Sequence, residues 1–153
     1  MNFHDFREII EFAIEKEKEA VSFYEDASAQ QQFSDARKMF QDFADEERKH
    51  QALLEGFLKG EKTIADYDLK WIPDMKRSDY LVDIPYEKGM SYADILRLAM
   101  KREEKALALY NELSREIDDK EIEQIFKMLS QEEAKHKLAL ETLYDDYMAE
   151  MGD

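Results

Sequence analysis

The sequence predicts an all-α protein, a four-helix bundle made of two duplicated helical hairpins joined by a long crossover. Three observations carry that prediction. Apolar residues recur at alternating steps of three and four along four separate runs, the pattern of a helix face turned toward a bundle core. The second half of the chain repeats the first at an offset of 86 residues, identically at Ala13, Glu17, Ala20, Tyr24, Phe40, Glu46, Glu47, Lys49, His50 and Leu54. A stretch over 60–90 interrupts the periodicity and holds both prolines, the only tryptophan, Gly60 and Gly89. One domain spanning 1–153 is the expected organisation at this length.

The first run opens at Asp5, with Glu8 placed as its capping partner, and continues to about residue 29. Its stripe is Phe6, Ile10, Ala13, Glu17, Ala20, Tyr24 and Ala27. After a polar turn, Ser34 stands as the N-cap of a second helix over 34–58, with Ala36, Phe40, Phe43, Glu47, His50, Leu54 and Phe57 on its stripe and Gly60 as its end. The crossover runs the length of a helix pair, so the second and third helices lie parallel. Its apolar residues Trp71, Ile72, Tyr80, Leu81, Val82 and Ile84 cover either the bundle or a dimer partner. Ser91 and Asp94 cap the third helix, over 91–117, whose stripe is Tyr92, Leu96, Ala99, Glu103, Ala106, Tyr110, Leu113 and Ile117. Asp118 and Asp119 turn the chain into a fourth helix over 119–148, with Ile122, Phe126, Leu129, Glu133, His136, Leu140, Leu143 and Tyr147 facing inward before the chain frays.

Composition narrows the function. Charged residues are 39% of the chain and the net charge is -15, with no basic block, which argues against nucleic acid or an anionic membrane as partner and favours cations. The absence of cysteine excludes a disulfide framework, an iron–sulfur cluster and a CxxC module in this chain. No segment approaches the ~18 apolar residues of a membrane span and the N-terminal residues lack a signal pattern, so a cytoplasmic protein is expected.

The stripes carry charge where a core is expected. Glu47 and His50, and again Glu133 and His136, stand three apart on one helix face, close enough to reach one metal ion. Two of the three histidines occupy these positions, and the third, His4, reads as a surface residue. Glu17 and Glu47 lie equally far from the first turn, as do Glu103 and Glu133 from the second, and antiparallel helices bring such positions level. Four carboxylates and two imidazoles therefore meet at one height. Buried without counter-charge they would cost several kcal/mol per ion or stay protonated, whereas two divalent cations cancel the charge. Oxygen ligands with one imidazole per metal favour iron or manganese, or a mixed pair, over a closed tetrahedral zinc site. Glu15, Glu19, Glu46, Glu104 and Glu132 fall off the stripes and are expected to pair with lysines at i,i+4. Tyr24 and Tyr110, seven after a ligand glutamate, are core aromatics whose hydroxyls are placed to support a ligand carboxylate.

The repeated ExxAxxxY (Glu17 to Tyr24, Glu103 to Tyr110) and ExxH resemble the ferritin-like diiron fold, closest to the rubrerythrins. The resemblance implies two iron ions, with Glu47 and Glu133 bridging, Glu17 and Glu103 terminal, and His50 and His136 each on one iron. It implies an oxidoreductase that reduces hydrogen peroxide or dioxygen with electrons from an external donor such as a rubredoxin or flavoprotein, and a homodimer. Apolar Ile9, Phe23, Leu98 and Leu109, off the central stripes, are consistent with the last. Two departures stand out. The chain has no four-cysteine rubredoxin module, and Ala106 occupies the position, one turn beyond Glu103, where many of these proteins place a further carboxylate. The alternatives are a ferritin-like iron oxidation and storage protein, and a non-catalytic metal-stabilised bundle.

Overall fold

A computed structural model of the chain describes residues 6–60, 72–76 and 85–151. Its helices are α1 (Phe6–Ala29), α2 (Ser34–Leu58), α3 (Tyr92–Glu116) and α4 (Lys120–Met151), and no strand occurs among the described residues. The all-α expectation holds. The chain divides into two compact units, Met1–Asp66 and Tyr67–Asp153, and each contains one helical hairpin, α1 against α2 or α3 against α4.

In the first hairpin, α1 buries Ile10, Ala13, Glu17, Tyr24 and Ala27 of the expected stripe and adds Ile14, Val21 and Phe23 beside them. That broader apolar face is what a helix in a globular core presents, rather than the narrow seam of a coiled coil. The turn to α2 is closed by Gln31 N–H donating to Ser28 O at 3.2 Å and by Ser28 Oγ donating to Arg37 O at 2.8 Å. Ser34 is the first helical residue and not the cap. Phe33 holds the cap position in extended backbone without a side-chain hydrogen bond, and its carbonyl accepts from Arg37 N–H at 3.1 Å, which starts the helix one residue early. At the other end Gly60, with φ of 70°, accepts the left-handed conformation that ends α2 while its N–H bonds Phe57 O.

The second hairpin is capped as its sequence suggests. Ser91 Oγ accepts from Asp94 N–H at 3.2 Å, and Asp119 Oδ1 accepts from the N–H groups of Glu121 and Ile122 at 2.9 and 3.2 Å. Helix α4 continues to Met151, past the expected end at 148, because Ala149, Glu150 and Met151 are strong helix formers and no breaker intervenes. The duplication extends to packing. Tyr24 stacks on Phe40 with ring centroids 6.2 Å apart, and Tyr110 stacks on Phe126 at 5.8 Å.

The two hairpins differ in what covers them. Residues 72–76 lie on α4 of their own unit, where Lys137 and Glu141 are buried although both fall off the predicted stripe. Met75 N–H donates to Glu141 Oε1 at 3.2 Å, while the Lys137 ammonium pairs with Asp74 and lies 3.5 Å from Glu141 Oε2. Asp74 Oδ1 also accepts from Lys76 N–H at 2.8 Å, and Lys76 takes a left-handed φ of 57° to close that turn. This part of the crossover covers its own helix. Trp71, Tyr80, Leu81, Val82 and Ile84 lie outside the described residues, as do His4 and Asp5. Phe23 and Leu98, read from sequence as dimer surface, are buried within the single chain, because the buried face of each helix is wider than its stripe.

Candidate metal centre

Each hairpin assembles the same three donors. Helix α1 brings Glu17 to the level of Glu47 and His50 on α2, and α3 brings Glu103 to the level of Glu133 and His136 on α4. All six residues are buried, none more than 7% exposed. The equal distance of Glu17 and Glu47 from the turn is what sets them side by side, since antiparallel helices rise by the same amount per residue.

The two triads have nearly the same geometry. His50 Nδ1 lies 3.6 Å from Glu17 Oε2 and 3.4 Å from Glu47 Oε2, and His136 Nδ1 lies 3.6 Å from Glu103 Oε1 and 3.8 Å from Glu133 Oε2. None of these approaches is a hydrogen bond through Nδ1. Within each triad one donor atom from every residue lies within 4.8 Å of the others, so a single ion could take all three. The six residues make other polar contacts, yet Glu17 Oε2, Glu47 Oε1, Glu103 Oε2 and Glu133 Oε1 are buried oxygens that accept no hydrogen bond. Each hairpin thus holds a buried Glu, Glu, His group that could hold a metal ion.

Electrostatics point the same way. The Glu17 carboxyl is pushed up to about 8 from the ordinary 4.5, first by burial and then by the Glu47 carboxylate beside it. A divalent cation held here would offset both causes by supplying positive charge beside the carboxylates. Two carboxylates and an imidazole fit iron or manganese and leave coordination positions open.

The glutamates expected outside the site are outside it. Glu15, Glu19, Glu46, Glu104 and Glu132 pair with Lys18, Lys16, Lys49, Lys101 and Lys135. Every one of these pairs has a spacing of three rather than the expected four, because the lysines stand three residues away. Tyr24 and Tyr110 are each 1% exposed, as core aromatics. Sequence reading missed Lys137 and Glu141, which neighbour His136 and Leu140 but face the crossover. Their only sequence signal is asymmetry in the repeat, Lys137 standing where the first half has Gln51.

The family model for a ferritin-like domain matches residues 5–145. The chain belongs to the ferritin-like domain family. A hypothetical protein from Pyrococcus furiosus has a similar solved structure, with a TM-score of 0.66 and 25% sequence identity over 93% of this chain and 89% of that one. No curated protein sequence matches. Among the described residues of this ferritin-like chain, no helix is long and apolar enough to cross a membrane.

Proposed function

We propose that this ferritin-like chain holds iron at its two Glu, Glu, His triads, and that it reduces hydrogen peroxide or dioxygen with electrons from an external donor. The observation that carries this reading is the duplicated Glu, Glu, His triad, buried in both hairpins of a chain in the ferritin-like family. Glu17, Glu47 and His50 would hold one iron ion and Glu103, Glu133 and His136 the other, leaving coordination positions open to the oxidant. When bound, the two irons supply a pair of electrons and open positions for the oxidant.

The chain's own residues do the rest. Four carboxylates set the charge of the centre and favour the more oxidised metal. Within each hairpin the buried ring pair, Tyr24 on Phe40 or Tyr110 on Phe126, lies on the same helix faces as the triad and would limit water on that side of it. The Tyr24 and Tyr110 hydroxyls orient ligand carboxylates. With no cysteine in the chain, the electrons come from a separate protein such as a rubredoxin or a flavoprotein. The test is a pair of variants, Glu47→Gln and Glu133→Gln. Each should lose bound iron and peroxide turnover together while keeping helical content, and a variant retaining both iron and turnover contradicts the assignment.

A further inference from the structure

The repeat that makes the triads alike also exposes a place where the hairpins differ. In the first hairpin Arg48 lies across the helix pair, ion-paired to Glu25 and held 2.7 Å from Asp45. At the same offset the second hairpin has Ala134, Asn111 and Gln131 in place of Arg48, Glu25 and Asp45. The arginine and both its partners are gone. In their place is a cleft of about 360 Å³ whose lining includes Ile72, Pro73, Leu107, Asn111, Gln131 and Ala134. Ser130, in the position of buried Ala44, adds a hydroxyl that donates to Asn111 Oδ1 at 2.7 Å.

We infer that this cleft is a binding site for a small uncharged molecule with an apolar body and an amide or carbonyl edge. Its size falls in the range of small-ligand pockets. Ile72, Pro73, Leu107 and Ala134 supply the apolar wall, and the Asn111 and Gln131 side-chain amides give the lining its polar edge, with the Asn111 carbonyl held by Ser130 so that its NH2 is turned to donate. The charges at the cleft are already balanced within the chain. Lys127 pairs with Glu123 at 2.8 Å, and Lys137 pairs with Asp74 and Glu141. An anion would therefore have to displace an internal carboxylate in a chain of net charge -15, and a cation would have to displace an internal lysine. The Asp74 and Met75 contacts to α4 fix the Ile72 and Pro73 wall in place, so the cleft is built into the second unit independently of the metal.

The probe is benzamide, titrated into the full-length protein and followed by NMR at the side-chain amide signals of Asn111 and Gln131, with benzoate as the charged counterpart. Benzamide should bind with a dissociation constant on the order of 1 mM, as expected for a fragment of its size, and benzoate at least about tenfold more weakly. The double variant Ala134→Arg with Asn111→Glu rebuilds the ion pair that the first hairpin tolerates and should weaken benzamide about tenfold or more. Ala134→Met fills the cleft without charge and should do the same if the double variant misfolds. No shift with benzamide, equal binding by the parent and a folded variant, or benzoate binding as well as benzamide overturns the inference.

Discussion

Glu17 is where burial and function conflict most sharply. Its carboxyl is held at about 8 in the folded, metal-free chain against 4.5 when free, so the folded state binds the extra proton between those values. Stability of the metal-free protein is then highest below about 4.5 with respect to this group and is lost as pH rises toward 8, on the order of a few kcal/mol. Glu17→Gln should flatten that dependence and stabilise the metal-free protein at alkaline pH, while weakening metal binding. Thermal denaturation of chelator-treated protein across pH checks the first point, and a variant with the parent's slope contradicts it. Iron affinity should rise with pH over the same interval, because a proton leaves as the ion enters.

Outside the triads, Lys137 is a polar residue whose removal should matter. Lys137→Met leaves Glu141 buried and Asp74 without its ammonium, although burial alone would raise the Asp74 carboxyl that Lys137 now holds below its usual range. Breaking a buried pair of this kind costs roughly 3–5 kcal/mol. Denaturant titration should show the loss, and a change under about 1 kcal/mol would mean the pair is as weak as an exposed one.

Several helix ends were legible in the sequence because they have their own punctuation. Ser91, Asp119 and Gly60 stop and start helices where their side chains or backbone freedom allow, and the stripes through Glu17, Glu47, Glu103 and Glu133 placed all four carboxylates indoors. Ser34 misled because a backbone carbonyl one residue earlier could open the helix without any cap. Lys137 and Glu141 were not legible, since what buries them is a segment far away in sequence, without periodicity to announce its docking. The capping contacts give an element-scale prediction: Ser91→Ala removes the acceptor for Asp94 N–H and should cost about 1 kcal/mol, whereas Ser34→Ala should change stability by only a few tenths. Equal effects of the two changes in denaturant titrations would contradict the cap assignment.

For the whole molecule, the repeat accounts for both resemblance and difference. Two hairpins with one internal pattern give matched triads and matched Tyr–Phe stacks, while the unmatched positions 48 and 134 leave one hairpin filled and the other grooved. Metal bound to the native state alone must stabilise it in proportion to its affinity, so removing iron with a chelator should lower the melting temperature of the parent but not of Glu47→Gln. The most direct test of the central claim is to load the protein anaerobically with two Fe(II) per chain and add one equivalent of hydrogen peroxide, following the near-ultraviolet absorbance of ferric iron. Both irons should oxidise faster than in air, with a reductant restoring the starting state. Iron uptake continuing far beyond two per chain, or no bound iron at all, would contradict it.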